Sequence, residues 1–145
     1  MFEIFISYKD NKEYLVSPNN NNYNIDIFRL IDNQQIQSLK GHNKKIRAIR
    51  YFINNKNKNE YLISGDDDKR VIIWDITNNY NIKYNIDTKY GHNIYSCLLI
   101  FPKNNEDNYI ITSTFNKSDD MDKSATKIYL FNDEYKVIKY INNTN

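Results

Sequence analysis

The chain has little cysteine or histidine to crosslink a small domain or bind a metal, and little glycine to loosen its backbone: its 145 residues include one cysteine, two histidines and three glycines. A lone Cys97 excludes an internal disulfide and sets the expectation of a reducing, cytoplasmic location, with a nuclear one also open. Cys97 lies inside the apolar run Tyr95–Phe101 and reads as a small buried hydrophobe, not a reactive thiol. Ala, Leu and Met together number only 11, which argues strongly against a helical bundle. No stretch approaches the ~18 apolar residues of a membrane span, and Met1–Asp10 carries no signal-peptide pattern. Twenty Lys and Arg against 18 Asp and Glu give a net charge of +2, so neither nucleic acid nor a membrane surface is expected as a partner.

What the chain does contain is β-formers. Ile, Val, Tyr, Phe and Trp together number 46, and such side chains suit a half-buried pleated surface. The class expected is all-β. Asn is the other excess, at 25 residues, and it runs through turns and strands alike as a background bias of the chain.

Self-comparison finds three aligned segments: Tyr14-Leu15-Val16-Ser17, Tyr61-Leu62-Ile63-Ser64 and Tyr109-Ile110-Ile111-Thr112, offset by 47 and then 48 residues. Each precedes a turn and a second apolar run ending in an aromatic: Ile25–Phe28, Val71–Trp74 and Ile128–Phe131. Alternating stretches lie upstream (Phe2–Ser7, Ile46–Phe52, Ile94–Phe101), and weaker ones lie downstream (Gln34–Leu39, Asn81–Asn85, Lys136–Ile141). The unit is four short strands in about 47 residues, close to the ~40–45 of one propeller blade.

Gly41-His42, followed by Ser64-Gly65-Asp66-Asp67-Asp68-Lys69-Arg70-Val71-Ile72-Ile73-Trp74-Asp75, resembles a WD-repeat (WD40) β-propeller blade, and Gly91-His92 opens another such unit. The resemblance implies three blades of four antiparallel strands, at about 1–40, 41–90 and 91–145, of which the middle one matches best. It also implies a buried polar relay in that blade: Asp68 accepting from the His42 ring, His42 meeting Ser64, and Ser64 meeting the Trp74 indole N–H. An indole N–H buried without a partner is costly, so such a chain has a physical reason to exist.

The same residues invite sharper readings that fail on context. Ser64-Gly65 ends a strand at an acidic turn and is not a G-x-S-x-G elbow, so a Ser-His-Asp triad is not expected. His42 and His92 lie a full repeat apart with no Cys or acidic cluster at ligand spacing, which argues against a metal. Asp66, Asp67 and Asp68 lack the spaced loop and terminal Glu of a calcium site. Lys44–Arg50, read as a strand, puts Lys45, Arg47 and Ile49 on one face and Ile46, Ala48 and Arg50 on the other, which divides its charge. Thr77 stands where substrate receptors of cullin-type ligases carry Arg, and Phe28-Arg29-Leu30 offers one Arg where phosphoinositide-binding propellers carry two.

The flanking units depart from the pattern. Ser17 and Phe28 hold the Ser and Trp places in the first, with Arg29 in place of the Asp. In the third, Phe131-Asn132 stands for Trp-Asp, and the place of Asp68 falls on Ala125. Asp119, Asp120 and Asp122 in a long turn, Phe115–Ser124, are the acids left for a relay with His92 and Thr112.

The resemblance implies a non-catalytic scaffold without cofactors that presents loops to protein partners. The loops expected to do so carry Asn43, Lys44, Lys45, Asp66, Asp67 and Arg70, and Phe115–Ser124 is a second candidate. A regulatory or substrate-recruiting segment of a larger enzyme, such as a kinase or ubiquitin ligase subunit, is the alternative. Three blades are too few to close a ring of four to eight. The expectation is therefore an incomplete propeller, a fragment of a longer one, with open blade edges that invite self-association.

Overall fold

The computed structural model describes residues 2–54, 56–87, 93–100, 108–116, 123–131 and 137–142, and within the last four segments only the side chains of 110–112. The described regular structure is entirely strand. The first sheet joins β1 (Glu3–Ile6), β2 (Glu13–Pro18), β3 (Ile25–Arg29) and β4 (Gln34–Leu39) in sequence order. The middle sheet joins β5 (Ile46–Ile53), β6 (Glu60–Asp66), β7 (Arg70–Asp75) and β8 (Asn81–Asp87). A third backbone ladder joins β9 (Asn93–Ile100), β10 (Asn108–Asn116), β11 (Lys123–Phe131) and β12 (Val137–Asn142). Every neighbour is antiparallel.

The middle sheet explains its own composition. One face packs Ile46, Ile49, Leu62, Ile72 and Trp74 against Phe5, Tyr14, Val16, Ile25, Ile27 and Leu39 of the first sheet. The other gathers Ala48, Tyr61, Ile63, Val71, Ile73 and Ile86 with Ile110 of β10. A strand covered on both faces has no solvent side, so Val71-Ile72-Ile73-Trp74 is apolar without alternation. The first junction is sealed by the ring of Phe5, stacked 4.1 Å from Tyr51 and 5.4 Å from Tyr14.

Strict alternation fails at the start of β5. Ile46 pairs with Asp66 and Ala48 with Gly65, so one extra residue, Arg47, is inserted as a bulge. Ile46 and Ile49 therefore face the first sheet together while Ala48 faces the other way. This corrects the period-two reading, which set Ile46 and Ala48 on one face and Ile49 on the other.

Register also corrects the alignment of the third unit. Leu62 pairs with Trp74, Leu15 with Phe28, and Ile110 with Tyr129. The position of Trp74 thus falls on Tyr129, not Phe131, and a register shift precedes it in all three sheets, at Ile27/Phe28, Ile73/Trp74 and Ile128/Tyr129. Counting back from the aromatic end of the run misleads because β11 continues two residues past that position, through Leu130 to Phe131. Phe115–Ser124 is likewise not one excursion: Phe115 pairs with Ser124 and Asn116 with Lys123. Ala125 then lies within β11, paired with Thr114, and not at a turn position. Asp119, Asp120, Asp122, Gly91 and His92 lie outside the described residues.

The described turns do without left-handed glycine. The positive-φ positions are Asn11, Tyr23, Asn33, Lys58, Lys69, Asn79 and Tyr80, and no described glycine is among them. Asn tolerates the left-handed region better than other non-glycine residues. Its side chain also caps turns two residues on, as Asn19 Oδ1 does for the Asn21 N–H and Asn54 Oδ1 for the Lys56 N–H. The Asn excess thus has a local structural use.

Candidate functional site

The polar residues of the middle sheet converge on one chain of hydrogen bonds. Ser64 sits on β6, and the period-two pleat puts Asp66 on the same face. Trp74 and Ser64 come together through the β6–β7 register, and His42 enters from the connection before β5. Trp74 Nε1–H donates to Ser64 Oγ at 2.9 Å. Ser64 Oγ lies 2.7 Å from His42 Nε2, and His42 Nδ1 lies 2.7 Å from Asp66 Oδ2. With Nδ1–H donating to the carboxylate, Nε2 is free to accept the Ser64 hydroxyl proton, and every donor in the chain has an acceptor.

The acid is Asp66, which corrects the expectation of Asp68. Asp66 is fully buried at the end of β6, whereas Asp68 is exposed in the turn. Asp68 supports the acid instead of replacing it: its N–H and that of Arg70 both donate to Asp66 Oδ1, at 2.9 and 3.0 Å. Burial by itself pushes the Asp66 carboxyl up, but the His42 bond and these two N–H groups outweigh it and hold the group below the ordinary carboxylate range. For the same reason Asp66 does not belong to an exposed contact loop.

The surrounding loops are braced to one another. Arg47 grips Asp67 with Nε and Nη2, each at 2.8 Å, and the Asp67 N–H donates to the Lys45 carbonyl at 3.0 Å. Arg70 Nη1 donates to the Gly41 carbonyl at 2.9 Å. Asn43, Lys44 and Lys45 are exposed beside them, as are Asp68 and Lys69. Asp67 and Arg70 are half-buried.

The first sheet lacks this chain. By register Asn19 stands at the place of Asp66 in the first sheet, and its amide donates to Asp26 Oδ2 at 3.0 Å, while Ser38 Oγ donates to Asp26 Oδ1 at 2.6 Å. In the third sheet Thr112 takes the place of Ser64. Thr112 Oγ1 is buried and has no hydrogen-bond partner among the described residues.

A second buried acid, Glu60 at the start of β6, belongs to no motif of the sequence. Glu60 is 1 % exposed. Its carboxylate accepts from Ser7 Oγ at 2.9 and 3.0 Å, from Tyr51 Oη at 3.1 Å, and from the N–H groups of Tyr8 and Lys9. The Ile76 N–H donates to its carbonyl, and its own N–H donates to Thr77 Oγ1. Burial, and then the Glu60 charge and hydrogen bond, push the Tyr51 phenol up. Glu60 therefore ties the β1–β2 turn to the middle sheet through donors about fifty residues away, and no local motif announces it.

Chemically the relay is closed. Ser64 has no exposed surface, both His42 ring nitrogens are engaged, and the acid is fixed by three donors. Residues 33–75, which contain all four members, match the family described as WD domain, G-beta repeat. Over 46 residues the chain is 41% identical to WD repeat protein iqw1 of Schizosaccharomyces pombe (strain 972 / ATCC 24843), a match covering 32% of this chain and 6% of that protein. Residues 33–75 are therefore similar to a WD40 repeat, and the chain spans a small part of the length of that relative. WD40 repeats are in general non-catalytic modules of protein interaction.

Proposed function

We propose that the chain is a non-catalytic cytoplasmic scaffold that mediates protein–protein interaction, its three sheets serving as consecutive blades of an incomplete propeller. The observation that carries this reading is the closure of the Ser64–His42–Asp66 chain: a serine with no exposed surface offers no nucleophile to a substrate. What the middle sheet offers instead is a braced surface. The Arg47–Asp67 and Arg70–Gly41 bonds fix the loops that carry Asn43, Lys44, Lys45, Asp67, Asp68 and Arg70. Fixed loops lose little entropy on binding, and their mixed charge favours specific over nonspecific contact.

Charge reversal tests the surface. Lys44→Glu/Lys45→Glu removes no described packing, so the melting temperature should stay within about 2 °C, as surface changes of this kind cost under ~0.5 kcal/mol. Proteins retained by the wild-type chain on an affinity column should be lost. Retention of the same proteins by the variant would place the contact surface elsewhere.

A further inference from the structure

Glu60 is a buried charge without a counter-ion. Its donors are the hydroxyls of Ser7 and Tyr51 and the N–H groups of Tyr8 and Lys9, all neutral, and among the described residues it forms no ion pair with Lys or Arg. The donors are also divided unequally. Those of Tyr8, Lys9 and Tyr51 all reach Oε1, whereas Oε2 has only the Ser7 hydroxyl at 3.0 Å and shares that one proton with Oε1 at 2.9 Å. A carboxylate oxygen can accept more than a shared proton, and a buried charge is costly unless it is paired. Oε2 is an acceptor short of a donor.

Glu60 lines a cavity of about 190 Å³ at the junction of the first and middle sheets, together with Phe5, Asp10, Tyr14 and Tyr80. That volume is below the roughly 300–1,000 Å³ of sites for drug-sized ligands and has the scale of one side chain. The cavity lies at the opposite end of β6 from the relay, since Glu60 begins that strand and Asp66 ends it. Tyr80 stands in the β7–β8 turn at φ 59°, a left-handed position uncommon for a large side chain, and packs against the core at the junction. Burial, and then the charges of Glu60 and Asp10, push its phenol up. Asp10 accepts from Tyr14 Oη at 2.6 Å and pairs loosely with Lys12 at 3.9 Å. Lys9 also lines the wall, but it reaches Glu60 through its backbone N–H, and its exposed side chain forms no ion pair among the described residues. Two carboxylates and aromatic rings, whose faces attract cations, thus surround the cavity.

We propose that this cavity receives the ammonium group of a lysine side chain presented by a protein partner, with Glu60 Oε2 as its acceptor and Asp10 and Tyr80 completing the cationic site. One acceptor short of a donor suits a compact point charge. A guanidinium would call for two parallel acceptor oxygens, and Oε1 is already filled. Glu60 is also buried, so the charge must arrive on a stem that packs along apolar wall, which the four methylenes of lysine provide and a chain-terminal amine does not. That the ammonium comes from a protein rests on the scaffold reading. The site itself does not.

Titration of the full chain with Nα-acetyl-lysine methylamide, followed by amide NMR, tests the proposal. Saturable shifts are expected, centred on the N–H groups of Tyr8, Lys9 and Tyr80, with a Kd on the order of 1 mM, the scale set by so small a ligand. The Nε-acetylated compound, which has the stem without the charge, and glycinamide, which has the charge without the stem, should give no saturable shift. The arginine analogue should bind at least about fivefold more weakly. Asp10→Asn, and separately Tyr80→Asn, which suits the left-handed turn, should each weaken lysine binding about two- to fivefold. Glu60→Gln should abolish it, and if that variant unfolds the other two decide. No saturation by ~20 mM, an equal response to any of the three control compounds, or undiminished binding by Asp10→Asn, Tyr80→Asn or a folded Glu60→Gln would each overturn the proposal. None of these results touches the Lys44/Lys45 loop surface, whose own test leaves the cavity untouched in turn.

Discussion

Gly41 lies so close to the edge of Trp74 that a Cβ placed there would come within 2.9 Å of the indole Cη2. The same Cβ would lie 3.0 Å from Ile72 Cδ1 and 3.3 Å from Ile82 Cδ1. The ring cannot easily retreat, because its Nε1–H is tied to Ser64. The glycine before His42 is thus required by contact, not by backbone conformation. Gly41→Ala should destabilise the chain by about 1–3 kcal/mol, the usual cost of overpacking, as read by urea denaturation. An unchanged midpoint would show that Trp74 can shift.

Trp74→Phe removes the one indole donor and leaves the apolar packing largely in place. The expected loss is about 1 kcal/mol, the net worth of a buried hydrogen bond. Ser64→Ala should cost at least as much, since it also unpairs His42. In the double variant the losses should fall short of their sum by 0.5 kcal/mol or more, about the lower limit of coupling within one network. Strict additivity would contradict the relay.

Asp66→Asn and Asp68→Asn separate the two candidate acids. Removing the carboxylate that accepts from the His42 Nδ1–H and two backbone N–H groups should cost about 1–3 kcal/mol, the range for leaving buried donors unsatisfied, whereas the exposed Asp68 should cost under ~0.5 kcal/mol.

Acid titration gives a sign as well. The Asp66 carboxyl titrates below the ordinary value of 3.8 when folded, so the unfolded chain takes up the proton first. Its contribution is therefore complete above that value and lost as the pH falls through it toward the folded pKa. Between about pH 5 and 3 the wild-type chain should lose more stability than Asp66→Asn. Parallel curves would remove Asp66 from the account.

Glu60→Gln tests the tie between sheets. An amide offers one acceptor oxygen, and its NH2 group would confront the hydroxyls and N–H groups of Ser7, Tyr8, Lys9 and Tyr51. A loss of about 1–3 kcal/mol is expected, the cost of unsatisfied buried donors, with hydrogen exchange accelerating first at Tyr8 and Lys9. Uniform exchange across the middle sheet would argue against a local tie.

Much of the fold is legible in one sequence, because a four-strand unit writes itself as apolar runs at fixed offsets. The expected strands Gln34–Leu39 and Ile46–Phe52 meet the observed Gln34–Leu39 and Ile46–Ile53 with at most one residue of difference. The site was legible in part. Ser64, His42 and Trp74 could be named because they sit at family positions, but the choice among three consecutive aspartates depends on where the strand ends and the turn begins.

The sequence by itself determined the β class, the repeat and the apolar faces, because these follow from local side-chain preference and periodicity. Only the tertiary structure decided that Asp66 and not Asp68 holds His42, that Tyr129 and not Phe131 occupies the place of Trp74, and that Glu60 is buried. Each of these depends on a cross-strand register, a bulge at Arg47 or donors some fifty residues away, and a single strand's pattern of residues carries none of that information.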